Sequence, residues 1–468
     1  MSAIMETVFE KEVKDMQIEL ERSAYGKLVE WKKNAGHSTL EVSGARQVGK
    51  TYLVNKFADK EYRQKIYINL LELSGELFLN DYKELWQEMK HGKRYENPVY
   101  ELIRRYEPSF KDSPDTVVII DEIQESAEIY NRIREFTRQL SSDFIITGSY
   151  LGRVLNKEFK YSSGDLDSIE IQTLSFEEFL MAMGKWELYS QLDLYGGSEE
   201  AVYKELGELY QIYCTIGGYP AVILSYLEKK DIQKCQAVLE KIVHLFANES
   251  RRYFEDILEY DTYENIFTSI ARILVKEKKG LDADSFSEEL QSIAVKEYSS
   301  NLSKASVNRA IDWLHSAGII GFAGKLTGCD ILSYKAKSRA FFMDLGLTTY
   351  FLVQTGCAQG DIQGVVNENF VFLDLRRRIS FPREIALETP AFATWGNYEI
   401  DFYVKSVKGQ HTYAIEVKSG KNSSRTMEEV LEKKKADYIL YAKGNTHGGI
   451  RGTIHTIPIY GLPKFEFS

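Results

Sequence analysis

The chain has no apolar run long enough to span a bilayer, only 8 prolines, only 4 cysteines and no excess of positive charge. Each shortage excludes something. Without a long uncharged stretch no transmembrane helix is expected, and Glu6, Glu10 and Lys11 interrupt any signal-peptide core. The expectation is a cytoplasmic protein with no membrane partner. Cys214, Cys235, Cys329 and Cys357 lie far apart and form no CxxC pair, so neither a zinc site nor a disulfide framework is suggested. They read as structural thiols. A formal charge of −10 argues against wholesale coating of nucleic acid. The charge is uneven, however. From Ala336 to the end, 17 Lys plus Arg face 14 Asp plus Glu, a net +3, which leaves −13 for the rest. Any contact with nucleic acid is therefore expected late in the chain.

What is present is an ordinary soluble composition, 44% hydrophobic and 27% charged over 468 residues, enough for about three or four domains. A long amphipathic helix is expected over Thr7 to Ala35, broken by Asn34-Ala-Gly36 before an apolar strand from Ser38 to Ser43. Further strands are expected at Lys65 to Leu70, Val117 to Ile120 and Phe144 to Thr147, with helices between them. Strands alternating with helices predict a parallel sheet covered on both faces, with ligand at the carboxyl ends of the strands.

The first strand runs into Gly44-Ala45-Arg46-Gln47-Val48-Gly49-Lys50-Thr51, which matches G-x-x-x-x-G-K-[ST] at every fixed position and opens a helix. The glycines let the backbone N–H groups turn toward a β-phosphate, and the helix adds its positive end. Lys50 would neutralise phosphate charge, and Thr51 would place a hydroxyl on Mg²⁺, a hard ion that prefers oxygen. Val117 to Ile120 then delivers Asp121 and Glu122 to the same sheet edge. Asp121 is the candidate Mg²⁺ carboxylate, and Glu122 the candidate base for the attacking water. ATP and Mg²⁺ are the expected cofactors. Thr147-Gly148-Ser149 ends the next strand, with Ser149 the candidate γ-phosphate contact and Thr147 the alternative. Arg134, Arg138 and Arg153 are candidates for a transition-state arginine, and none stands out.

From about Phe176 to Tyr260 the spacing is helical, interrupted at Gly217-Gly-Tyr-Pro220, which suggests a lid. Two helices, Ser285 to Ala294 and Ser303 to Ser316, followed by a short hairpin from Ile319, suggest a winged helix. Lys304 and Arg309 on its second helix could touch phosphates, and Asn308 a base edge. Its stretch from Asp282 to Lys335 holds five basic and seven acidic residues, which favours protein packing over DNA. Beyond Ala336 come a helix near Val365 to Arg378, strands at Glu399 to Val404 and Thr412 to Val417, a helix near Thr426 to Lys435, and a strand from Asp437 to Tyr441.

Eight ordered blocks carry a family resemblance: Gly44 to Thr51, Ile119-Ile-Asp-Glu-Ile-Gln124, Thr147-Gly-Ser149, Leu174-Ser-Phe-Glu-Glu-Phe179, Gly217-Gly-Tyr-Pro220, Asp344-Leu-Gly346, Asn367-Glu-Asn-Phe-Val371 and Glu399-Ile-Asp-Phe402. Over nearly its whole length the chain resembles bacterial and archaeal AAA-superfamily ATPases with a C-terminal domain originally of unknown function. Members usually carry a Gly-Arg pair before the Leu-Ser-Phe block, and here Ser163-Gly164-Asp165 stands instead, which leaves that arginine's role unassigned. The resemblance implies that Arg22 helps to wall the nucleotide pocket, and that a homo-oligomer is possible.

In the last segment Asp401 ends Glu399-Ile-Asp401, and Ala414-Ile-Glu416-Val-Lys418 follows fifteen residues on, with Glu416 and Lys418 on one strand face. With Glu368 on the preceding helix this pattern resembles the PD-(D/E)xK nuclease core, in which Asp401 and Glu416 would bind Mg²⁺ and Lys418 would position a water or phosphate. The expected architecture is thus α/β. It comprises an AAA-type P-loop parallel sheet (1–170), a helical lid (171–260), a winged-helix-like domain (261–335) and a nuclease-like domain (336–468). Two readings of the whole follow: an ATPase controlling a module that acts on double-stranded DNA, or a nucleotide switch that binds a protein partner without cleavage.

Overall fold

The apolar run ahead of the Gly-rich loop is strand β1 (Thr39–Ser43) in the computed structural model. The structure describes residues 19–34, 36–148, 166–254, 260–278, 289–290, 292, 304–333, 339–379, 383–396, 398–420 and 425–468. Helix α1 (Ser23–Asn34) precedes β1, so the described part of the predicted long first helix is short, and Thr7 lies outside the described residues. Helix α2 (Lys50–Glu61) opens at the lysine of the Gly-rich loop. Then come β2 (Gln64–Asn69), α3 (Leu73–Lys90), α4 (Pro98–Tyr106), β3 (Thr116–Asp121), α5 (Ala127–Gln139), β4 (Asp143–Thr147) and β5 (Leu166–Glu170). All five strands are parallel, in the order β2-β3-β4-β1-β5. Every residue of β3 is buried, because helices cover both faces, and its Val-Val-Ile-Ile run therefore shows no alternation. Strand β5 carries no such run. Its Leu-Asp-Ser-Ile-Glu is partly exposed at the sheet edge, and it has no counterpart among the strands the apolar runs predict.

The segment expected as a lid is helical: α6 (Phe176–Ala182), α7 (Trp186–Ser190), α8 (Glu200–Ile216), α9 (Pro220–Lys229) and α10 (Ile232–Phe254). A capping box starts α6: Ser175 accepts from the Glu178 N–H, and Glu178 accepts from the Ser175 N–H. Pro220 starts α9, where the missing N–H costs nothing.

Helices α11 (Tyr260–Lys278) and α12 (Lys304–Ser316) lead into β6 (Ile320–Thr327), β7 (Ile331–Ser333) and β8 (Arg339–Phe342). The expected hairpin exists as β6 and β7, but it is no free-standing wing. Strand β6 also pairs in parallel with β9 (Ala391–Trp395) and antiparallel with β8. The reason is burial: the first five residues of β6 are all buried, and such a strand needs neighbours and cover that a solvent-facing wing lacks. The sheet thus crosses the expected boundary at 335. The helix expected at Ser285 to Ala294 falls mostly outside the described residues.

Helices α13 (Leu345–Gln354) and α14 (Gln359–Ile379) precede β9, β10 (Tyr398–Lys405), β11 (Thr412–Lys418), α15 (Arg425–Glu432), β12 (Tyr438–Lys443), β13 (Gly449–Arg451) and β14 (Ile454–Pro458). Among the described residues this is one nine-stranded mixed sheet, ordered β13-β14-β12-β11-β10-β9-β6-β7 with β8 off β6. Side chains of α15, Met427 and Val430, pack with Ala414, Ile439 and Tyr441, whereas α14 contributes Phe370 and Val371 to the cluster holding Ile415, Val417 and Leu440. That second cluster also takes in β1, α8 and the segment after the P-loop sheet, so one hydrophobic core runs through ATPase core, lid and C-terminal sheet. No helix among the described residues is long and apolar enough to cross a membrane. Cys214, Cys235 and Cys329 are buried, Cys357 is half-buried, and all are free thiols.

Candidate functional site

The Gly44 to Thr51 loop wraps the end of β1 as its motif demands. Gly44 has φ 138°, and a Cβ there would stand 2.1 Å from the Ile171 carbonyl oxygen, so no other residue fits. Lys50 Nζ donates to the carbonyls of Gly44 at 2.9 Å and Ala45 at 2.8 Å, folded back over its own loop. Thr51 Oγ1 donates to Asp121 Oδ2 at 2.8 Å, so the two expected Mg²⁺ positions meet across 70 residues of sequence. Tyr67, from the neighbouring β2, donates its hydroxyl to the same oxygen at 2.8 Å. Burial, then its bond to Asp121, raises the Tyr67 phenol well above its ordinary pKa, which keeps it a donor.

Glu122 holds a left-handed backbone, φ 54°, unusual without glycine and of the kind found where function over-determines geometry. Its N–H donates to Asp121 Oδ1 at 2.9 Å, and its carboxylate accepts from Gln124 Nε2. Gln124 is buried. Gly148 backs it: a Cβ there would lie 2.3 Å from Gln124 Oε1. One residue earlier, the buried Thr147 Oγ1 has no hydrogen-bond partner among the described residues. Ser149 and Arg153 lie outside the described residues.

A cavity of about 510 Å³ opens over this edge, lined by Arg46, Gln47, Gly49, Lys50, Thr51, Asp121 and Glu122, and from the lid by Pro220, Ala221 and Leu224. Arg134 and Arg138 do not line it. Arg22 does, as the resemblance implied. Its Nη1 donates to the Val48 carbonyl at 2.9 Å and its Nη2 to the Gln172 carbonyl at 2.5 Å, while its Nε stands 3.5 Å from Glu178 Oε2. Both side chains of the pair are 6% exposed. Burial lowers the Arg22 pKa, and the Glu178 charge opposes that shift. Glu178 Oε1 also takes the N–H of Ser23 at 2.7 Å and its hydroxyl at 2.8 Å. The Leu-Ser-Phe-Glu-Glu-Phe block therefore braces the P-loop from beneath.

Two other blocks meet behind the lid. Asp344 caps α13, accepting from Gly346 N at 2.8 Å and Leu347 N at 3.2 Å, and it reaches back to Gly218 N at 2.7 Å. Burial raises its pKa, and the backbone N–H groups oppose the shift. Asn369 takes the Thr348 hydroxyl at 2.9 Å and donates to the Phe342 carbonyl at 2.8 Å.

At the C-terminal candidate site Glu416 is buried and pairs with Lys418 at 2.6 Å. Asp401 Oδ2 accepts from Val417 N at 2.7 Å, which sets β10 beside β11. Glu368 is buried on α14. Among the described residues no three Asp, Glu, His or Cys side chains are grouped to hold a metal ion. Helix α14, strands β10 and β11, helix α15 and strand β12 follow in the expected order, β9 is an additional strand, and β9 to β11 pair antiparallel while β11 and β12 pair parallel. Asn308 and Arg309 are exposed on α12, and the Lys304 side chain lies outside the described residues. The sequence offered no signal for Tyr67. Gln124, Glu178 and Pro220 did stand in the quoted blocks, though without a role.

A Gly-rich loop between strand and helix, a carboxylate on the adjacent strand and a five-stranded parallel sheet define a P-loop ATPase-type nucleotide-binding domain. Residues 37–180 match the family model of an AAA domain. Residues 207–356 match a domain of unknown function, DUF8612. No curated protein matches the chain. Among solved structures it is similar to the Aeropyrum pernix ORC2 protein, at 9% identity over 75% of this chain and 95% of that one, with a TM-score of 0.33. Cdc6p of Pyrobaculum aerophilum shows 11% identity over 76% and 97%, TM-score 0.28. A signal-transduction ATPase with numerous domains and a tetratricopeptide-repeat sensor, from Pyrococcus horikoshii, shows 13% over 78% and 46%, TM-score 0.27.

Proposed function

We propose that the chain binds ATP with Mg²⁺ over Gly44 to Thr51, hydrolyses it with Glu122, and uses the cycle to control its C-terminal module on DNA. One observation carries the first part: Thr51 and Asp121 meet at 2.8 Å on the wall of a cavity that also holds Lys50 and Glu122. The donor set fits the ion, since a hydroxyl and a carboxylate are the hard oxygen ligands it takes, and Thr51 and Asp121 would hold it. Bound there, Mg²⁺ would supply charge neutralisation of the β- and γ-phosphates. Lys50 would leave the Gly44 and Ala45 carbonyls for phosphate oxygens. Glu122 would accept the proton of the attacking water once Gln124 yields it, and Thr147 or Ser149 would orient that water.

Turnover should vanish in Lys50→Ala through lost phosphate affinity, whereas Glu122→Gln should still bind ATP and fail to hydrolyse it. A Glu122→Gln enzyme as fast as the parent would remove the role given to Glu122.

The second part rests on the helix and strand order around Glu368, Asp401, Glu416 and Lys418, in a module continuous with the ATPase core. We keep the divisions at 170, 260 and 335 as functional units, with the C-terminal sheet reaching back to Ile320. The alternative, a switch that docks a protein partner without cleavage, draws on the absence of a three-ligand metal group among the described residues. Running double-stranded DNA on a gel with Mg²⁺, with and without ATP, separates the two. DNA cut by the parent and left intact by Lys418→Ala supports the nuclease module. DNA left intact by both under all conditions supports the switch.

A further inference from the structure

A second cavity, of about 450 Å³, shares Arg22 with the nucleotide cavity and lies between α1, the Leu-Ser-Phe block and α14. Its size falls within the range of small-molecule sites. Nothing in the ATP cycle proposed above uses it.

The charges that line this cavity divide into those already joined and those left over. Arg22 pairs with Glu178, and Arg378 with Asp374 and Glu384. Glu170 is taken by Arg376, and Glu21 is exposed. Three half-buried groups remain. Lys27 and Glu177 form no hydrogen bond or ion pair among the described residues, and Arg377 has a single long hydrogen bond there, to the Thr173 carbonyl at 3.5 Å. Burial lowers the Lys27 pKa and raises that of Glu177, the mark of charges held with too little compensation. Arg377 acts on Glu177 through space, but the two do not close an ion pair. Two cations and one carboxylate thus line one cavity without joining each other, which is the complement of a molecule that carries both signs of charge.

Unmatched polar atoms line the same space. Arg22 Nε and Gln172 Oε1 are buried without a hydrogen-bond partner among the described residues, one a donor and one an acceptor. Phe176, Met181 and Phe370 give the cavity an apolar wall. Arg22 also reaches the ATP site, since its Nη1 donates to the Val48 carbonyl of the P-loop at 2.9 Å. A charge that arrives beside the Arg22 and Glu178 pair therefore acts on a residue that braces the phosphate cradle.

We propose that this cavity binds a free amino acid with an apolar side chain, its carboxylate taken by Arg377 and Lys27 and its ammonium by Glu177, and that occupancy changes ATP affinity through Arg22. The coupling rests on the ATP-binding reading of the first cavity, and the amino-acid binding does not.

The test is a thermal-shift screen of the full chain with each common amino acid at millimolar concentration. The strongest hit then goes to calorimetric titration beside its carboxamide, which lacks the carboxylate, and its deaminated acid, which lacks the ammonium. An apolar amino acid should raise the melting temperature, and both analogues should bind at least about tenfold more weakly. Glu177→Gln should lose the preference for the amino acid over the deaminated acid, and Arg377→Gln the preference over the carboxamide. Both variants should keep the parental ATP turnover when no amino acid is present. In the parent the KM for ATP should move about fivefold or more on addition of the amino acid, and in the two variants it should not.

A screen in which no amino acid raises the melting temperature would overturn the proposal, leaving the cavity to solvent. So would a deaminated acid that binds the parent as tightly as the amino acid, or a hit whose affinity neither variant changes. Binding with an unmoved KM would overturn the coupling through Arg22 alone. A parent without ATP turnover would fail the ATPase reading, and calorimetry would still decide the binding.

Discussion

Single side chains in this protein are defined by what they face more than by their type. Arg22 and Glu178 are an ordinary ion pair by chemistry, yet buried beneath the P-loop they hold its Val48 carbonyl and the start of α1 together. Glu177, one residue earlier, is the opposite case. Burial raises its pKa, with Asp374 adding to the shift and Arg378 and Arg377 opposing it. A carboxyl whose folded pKa lies above the unfolded value of about 4.3 adds stability below that pH, and the contribution is lost as pH rises through the folded value. Glu177→Gln removes the loss. The melting temperature of Glu177→Gln minus that of the parent should therefore grow between about pH 4 and about pH 7. A difference that stays constant over that window would show that the carboxyl is not penalised by its surroundings.

Among the elements, α14 connects the most. Its middle carries Asn367 and Glu368 at the C-terminal site, and Arg376 near its end bonds Glu170 of β5 at 3.2 Å. Arg378 pairs with Asp374 at 2.9 Å and Glu384 at 3.0 Å, and donates to the carbonyls of Leu462, Pro463 and Phe465 at 2.7 to 2.9 Å. Its side chain is 7% exposed. In sequence, Arg376 to Arg378 looks like a solvated basic face. The structure shows instead a guanidinium that ties the chain terminus to the helix. Arg378→Met strands Asp374 and three carbonyls, and removal of one member of a buried pair costs about 3–5 kcal/mol. Denaturant titration should show that loss, and a change below about 1 kcal/mol would mean that the terminus docks by apolar contact alone.

At the scale of the molecule the modules share one core. Phe370 of α14 stacks edge-on to Tyr210 at 5.0 Å and to Phe176 at 6.3 Å, and Tyr460 donates to the Tyr203 carbonyl at 3.0 Å. A chain ended at Thr355 would leave those lid aromatics uncovered, and it should aggregate or melt well below the full chain. A soluble truncation with the parental melting temperature and ATP turnover would show that the modules are energetically separate.

The sequence by itself determined the parts whose signal is local: the P-loop, the Asp121 and Glu122 strand end, and the apolar runs of β1, β3 and β4. A phosphate cradle needs contiguous backbone, so its residues sit together in sequence. The same holds for the strands from Tyr398 to Lys418, whose two-residue spacing puts Glu416 and Lys418 on one face. Only the tertiary structure decided that Tyr67 supports Asp121, that Gln124 holds Glu122, that β6 joins the C-terminal sheet and that Lys443 lies beside Lys418. Those pairings depend on strand register and packing between residues far apart in the chain, and no local spacing encodes them.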